Sequence, residues 1–187
     1  RSDGRNGTTC TGARCAGSST ALLMARKGYR VLAVDRATFP SDTVSTHILH
    51  PLGAKALADW GLLDRLSATG CPPIQTYAFD FGPFTITGAP GTREAPVAYC
   101  PRRTVLDMLL ADAAAESGAE IREGFTAEEI LFEDGHAVGI RGRSRHGGRS
   151  SVPTAGTPSW PKRFGPGLIT RNHPCSSRTT PIGAGCP

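Results

Sequence analysis

The sequence predicts an α/β fold lying between two ends of different character. Three observations carry that reading. Short apolar runs alternate with helix-periodic segments, a glycine-rich turn opens the first helix, and an acidic residue closes the strand after it. Ala16 to Lys27 is rich in Ala, Leu and Met and stops at Gly28, a helix with a glycine terminator. Tyr29 to Asp35 (YRVLAVD) is apolar enough for a buried parallel strand. From Pro51 to Ala68, apolar positions such as Leu52, Leu57, Trp60, Leu63 and Leu66 recur at helical spacing. Gln75 to Thr87 is strand-like and interrupted by Gly82-Pro83, which predicts a hairpin or meander. Arg103 to Ser117 reads as a helix closed by Gly118, with a short strand at Glu120 to Arg122. Ala127 to Phe132 and Ala137 to Arg141 then flank Glu133-Asp134-Gly135, a hairpin with an Asp-Gly turn.

The two ends read differently. Residues 1–11 (RSDGRNGTTCT) are polar where an apolar strand should precede a glycine turn, so a disrupted first strand is expected. Residues 143–187 lack periodicity and abound in Gly, Pro, Ser and Thr, the composition of a disordered tail. The folded domain is therefore expected to span 12–142.

At 187 residues and 39% apolar, the chain has room for one domain or a domain with a tail. It has no apolar run long enough for a transmembrane segment and no signal-peptide pattern. Its six cysteines form no CxxC pair and have no zinc-ligand spacing with histidine, which predicts isolated thiols, no metal site and a cytoplasmic protein. The net charge is +5, but residues 143–187 hold seven Lys/Arg and no acid, so residues 1–142 carry 5 − 7 = −2. The basic excess belongs to the tail, which has no aromatic platform or recognition motif, and no nucleic-acid partner is expected.

The chemistry concentrates at Gly12-Ala13-Arg14-Cys15-Ala16-Gly17 and at Asp35, 23 residues beyond Gly12. One glycine makes the tight turn, another allows close packing, and the helix start presents unpaired N–H groups to a pyrophosphate. An acidic residue at the end of the next strand can accept the hydroxyls of an adenosine ribose. Arg14 replaces the middle glycine of G-x-G-x-x-G, and a plain tight turn or an NAD-dependent dehydrogenase fragment is compatible with this motif taken alone. With helix, strand and acid all in place, the pattern predicts a partial Rossmann-like, nucleotide-binding domain carrying a small β-meander or hairpin.

Three segments, GARCAGSSTALLMARKGYRVLAVDR, DTVSTHILHPLGAKALADWGLLDRL and CPRRTVLDMLLADAAAESGAEIREG, resemble bacterial FAD-dependent oxidoreductases of the para-hydroxybenzoate hydroxylase and geranylgeranyl reductase type. The resemblance covers about Gly12 to Gly142. It implies an FAD-binding domain, with FAD as cofactor, NAD(P)H as electron donor, a small-molecule substrate and flavin monooxygenase or reductase chemistry. It places Gly12, Ala13, Arg14 and Gly17 along the FAD pyrophosphate, Asp35 at the adenosine ribose and Arg36 beside the adenine edge. Arg103, which starts an R-x-x-L-D-x-x-L pattern, would reach the cofactor from a helix N-terminus. Ser45, Thr46 and His47 occupy the segment that approaches flavin or substrate in such enzymes, and His47 is the one catalytic candidate. Flavin performs the redox step itself, so no catalytic triad is called for.

Such an enzyme should continue after the hairpin into a strand ending in a GADG-type motif. With suitable synonymous codons, the codons from Ser150 onward yield V-G-A-D-G when read from the last base of each, and those for Arg178 to Gly185 yield Y-Y-S-Y-W-S-G. A break of reading frame between Gly142 and Ser150 is therefore expected, leaving a truncated, inactive fragment with weak or absent FAD binding. A remnant with no function is the alternative.

Overall fold

The structure, a computed structural model, describes residues 7–145 and 147–153. The chain runs β1 (Gly7–Thr11), α1 (Cys15–Arg26), β2 (Arg30–Val34), α2 (Pro51–Asp59), α3 (Leu63–Ser67), β3 (Pro73–Ile74) and β4 (Tyr77–Asp80). It continues through β5 (Thr85–Gly88), β6 (Ala98–Tyr99), α4 (Arg103–Glu116), β7 (Glu120–Arg122), β8 (Phe125–Glu133), β9 (His136–Ser144) and β10 (Arg149–Pro153). This is an α/β fold, a partial Rossmann-like domain with a β-hairpin attached.

Its centre is a parallel sheet in the order β1-β2-β7. Alternate residues of β2 serve two cores. Val31 and Ala33 face the larger one, which includes Leu22 of α1 and Leu106 and Leu110 of α4. Leu32 and Val34 point the other way and pack with Phe125, Ile140 and Val152 from the antiparallel sheet β10-β9-β8. A strand covered on both faces reads as a continuous apolar run, as RVLAV does. The helices stop where glycine permits a left-handed residue. Gly28 and Gly118 have φ of 85° and 99°, and the N–H groups of Tyr29 and Ala119 reach back to the Met24 and Ala114 carbonyls.

The expected single helix from Pro51 to Ala68 is two. Gly61, at φ 74°, ends α2 while Leu62 N–H donates to Leu57 O at 2.7 Å, and α3 starts afresh. Apolar spacing carried across the break because Leu57, Leu62 and Leu66 still enter one core. The predicted hairpins form. Phe81 N–H donates to Phe84 O across the first, and Asp134 and Gly135 take positive φ in the second.

Both end boundaries are corrected. GTTCT is polar but forms β1, pairing in parallel with β2 from Gly7↔Arg30 to Thr11↔Val34. A half-buried edge strand does not need the full apolar run: β-branched threonines suit the pleat, and Cys10 packs against the helix-side core. At the other end the fold does not stop at residue 142. β9 runs to Ser144, and β10 adds an antiparallel strand in which Val152 sits opposite Ile140 with no exposed surface. The disorder expected of residues 143–187 fails as far as Pro153. Expectations for residues 1–6 and 154–187 fall outside the described residues. Among the described residues, no helix is long and apolar enough to cross a membrane.

Val152→Ala should therefore lower stability by about 1–3 kcal/mol in urea unfolding, as removal of fully buried methyl groups does. An unstructured tail would register no change.

Candidate functional site

The site begins at the turn between β1 and α1. Gly12 has φ 94°, and its N–H donates to Val34 O at 2.7 Å, tying the turn to the end of β2. A Cβ on Gly17 would lie 1.6 Å from Gly12 O, so α1 rests directly on the turn and only glycine fits. Ser18, fully buried, donates its hydroxyl to Ala13 O at 2.7 Å. No side chain caps α1 and its first turn holds no acidic residue, so a helix start, which favours an anion, has no capping acceptor from its own segment.

Asp35 secures this turn. One carboxylate oxygen accepts Ala13 N–H at 2.8 Å and the other accepts Ala37 N–H at 2.8 Å. Each oxygen keeps a second lone pair, which is what a ribose hydroxyl could use. Arg36, the next residue, is exposed.

Arg14 and Arg103 meet on a residue to which the sequence analysis gave no role. Asp107, in α4, is completely buried and faces both guanidinium groups. Arg103 donates through Nε and Nη2 at 3.0 Å each, and Arg14 through Nη1 at 2.8 Å. The Cys15 thiol donates to the same carboxylate at 3.1 Å. Burial, and then this bond to Asp107, pushes the Cys15 thiol up to about 11, against the usual tendency of a helix N-terminus to acidify a cysteine. Cys10, Cys15, Cys71 and Cys100 are free thiols.

The segment after β2 is pinned to the same place. Arg14 donates to Ser41 Oγ at 2.6 Å and lies 5.7 Å over the Phe39 ring. Arg102, just before α4, pairs with Asp42 at 2.6 Å, and that hydrogen bond holds the Asp42 carboxyl below its ordinary value. Five residues on, His47 adopts φ 58°, donates its N–H to Ser45 Oγ at 3.2 Å, and has a buried Nδ1 without a partner. With Asp42, Thr43, Val44 and Ser45 it lines an open hollow of about 520 Å³.

Of the candidate residues, Gly12, Ala13, Arg14 and Gly17 share one turn, Asp35 is bonded to it, and Arg103 joins Arg14 across Asp107. His47 lies further along the pinned segment. Asp107, Cys15 and Ser41 were missed as site residues. The Arg103–Asp107 pair has the i,i+4 spacing of a helical ion pair and was legible. Its contact with Arg14, 93 residues away, was not.

A turn that requires glycine at two positions and an uncapped helix start are features of the Rossmann kind of dinucleotide-binding fold, here with two guanidinium groups gathered beside them. Residues 8–153 match the model of the FAD binding domain, and the chain belongs to that family. Protein FixC of Salmonella typhi is 28% identical over 137 residues, 69% of this chain and 31% of FixC. The myxobacterial chondrochloren halogenase CndH, described as a variant of FAD-dependent halogenases, superposes with a TM-score of 0.72 at 26% identity, over 80% of this chain and 35% of its own. A p-nitrophenol 4-monooxygenase, PnpA of Pseudomonas putida DLL-E4, shares the fold with a TM-score of 0.67 at 20% identity, over 79% of this chain and 38% of its own. The chain thus spans about a third of the length of these relatives. FAD fits the residues present: its diphosphate suits the uncapped helix start and the excess cation of the arginine pair, and the second lone pairs of Asp35 suit a ribose.

Asp35→Ala should destabilise the domain by about 1–3 kcal/mol for each of the two N–H groups it strands. Asp35→Asn, which keeps one acceptor, should cost less, and urea titration of the two variants measures the difference.

Proposed function

We propose that this chain is the FAD-binding part of an FAD-dependent oxidoreductase, a flavin monooxygenase or reductase that takes electrons from NAD(P)H and acts on a small molecule. The observation that carries this is the joining of Arg14 and Arg103 beside an uncapped α1, within a chain whose residues 8–153 belong to the FAD binding domain family. Bound FAD supplies the redox chemistry. The chain's own residues bind and orient it. In this reading the turn from Gly12 to Gly17, with Arg14 and Arg103, neutralises the diphosphate, while Asp35 receives the adenosine ribose and Arg36 borders the adenine. His47 is the catalytic candidate, because it lines the open hollow together with Asp42, Thr43, Val44 and Ser45.

We read the 187-residue chain itself as a truncated form without turnover. Phe79, Phe81, Phe84 and Ile86 of the β4–β5 hairpin and Ile130 and Phe132 of β8 are more than half exposed, which suits surfaces that the remainder of a longer enzyme would cover. The break of reading frame between Gly142 and Ser150 stays part of this proposal, supported by the acid-free composition of residues 143–187. The second reading, a remnant with no function, shares these supports and lacks only ligand binding.

Titration of the chain with FAD, followed by quenching of flavin fluorescence, separates the readings. The expected result is weak, saturable binding of one FAD per chain, loosened about tenfold by Arg103→Gln as loss of a charged hydrogen bond does, with no NAD(P)H oxidation. Binding of NAD⁺ in preference to FAD would indicate a dehydrogenase, and absence of any nucleotide binding a remnant. Turnover that falls in His47→Ala would overturn the inactive reading and support the role of His47.

A further inference from the structure

We propose that Asp107 is the positioning residue of this site: its buried carboxylate holds Arg14 and Arg103 together beside the start of α1 and accepts the Cys15 thiol hydrogen. The proposal deepens the diphosphate reading and rests on it for its purpose, but its geometry stands apart from any ligand. The two oxygens of Asp107 receive two donors each. One takes Arg103 Nε and Cys15 Sγ, and the other takes Arg103 Nη2 and Arg14 Nη1.

Packing does not call for a charge here. Asp107 is wholly buried on α4, in the layer where α4 meets α1, and an apolar side chain of similar volume would fill that place without the cost of desolvating an ion. What the carboxylate adds is placement. Without it two guanidinium groups would repel each other at close range; with it they form one rigid unit of two cations and one anion. That unit carries one positive charge in excess, adjacent to a helix start that also favours an anion. A diphosphate is attracted by both, by the single excess charge and by the roughly half-charge of the helix start. Arg14 has its second anchor at Ser41, so the same unit fixes the segment leading to His47.

Cys15 reports on this arrangement without any flavin. Asp107 disfavours its thiolate, whereas Arg103 favours it. Removing each charge should therefore move the thiol in opposite directions, while general loosening of the site would expose Cys15 and move it the same way in both variants. The test is alkylation of Cys15 by iodoacetamide, quantified by mass spectrometry in the flavin-free chain between pH 7 and pH 11. Asp107→Asn is expected to raise the Cys15 rate at pH 8.5 about tenfold or more, since reaction follows the thiolate fraction, and Arg103→Gln to lower it. Equal acceleration in both variants, or no change in either, would overturn the proposal. If Asp107→Asn does not fold, Arg103→Gln decides alone: a slower rate supports the arrangement, and an unchanged or faster one refutes it. In FAD titrations, Asp107→Asn should weaken binding about as much as Arg103→Gln, and the double variant little more than either, as expected for residues acting through one contact. Fully additive losses would refute the positioning role. A wild-type chain that shows the thiol pattern yet binds no FAD would defeat the proposed function and leave the Asp107 arrangement standing.

Discussion

Strand β2 is covered on both faces, and the rest of the domain is arranged around that constraint. Val31 and Ala33 need the helices α1 and α4, while Leu32 and Val34 need a second layer, supplied by Phe125, Ile140 and Val152. A five-residue strand with four buried positions cannot be half-solvated without large loss of burial free energy. The order of layers follows: helices, parallel sheet, antiparallel sheet. So does the position of the site, because the glycine turn hangs from the C-terminal end of this strand through the Gly12 N–H to Val34 O bond and through Asp35.

Polar contacts then convert that scaffold into a binding geometry. Asp35 is engaged first in holding the turn, and only its remaining lone pairs face outward chemistry. Asp107 plays the corresponding part for the arginines. Both carboxylates lie in the interior, where an unpaired charge is expensive, and both are held by several donors. The site is thus built from groups that are costly to bury singly and stable only as a set. This also bears on Cys15, a helix-start thiol kept protonated first by burial and then by the anion it touches.

The periphery obeys a looser rule. The β4–β5 hairpin stands apart from both cores, with Phe81 stacked on Phe84 at 5.2 Å between ring centroids and both rings more than half exposed. Its strands form because Gly82 supplies a left-handed residue at the bend, and because alternating aromatic and small residues suit a ribbon. In the antiparallel sheet, the ion pairs Arg141–Glu129 and Arg143–Glu128 decorate the solvent face without setting the fold.

The helices and hairpins were legible in the sequence because their signals are local. Periodicity, glycine stops at Gly28 and Gly118 and the Asp134-Gly135 turn act within a few residues. The glycine motif and Asp35 were legible for the same reason, as a spacing. The tertiary structure decided where polar segments could still serve. GTTCT became a strand because β2 offered it a partner, and Val152 became core because β9 placed it over Leu32 and Val34. It also decided that Arg14 and Arg103 share Asp107, across 93 and 4 residues respectively. The sequence by itself determined which elements form and that the first turn is shaped for a nucleotide. Which residues bear charge against one another was left to the packing of α1 on α4, since electrostatic pairing depends on distance in space and a chain order carries none of it.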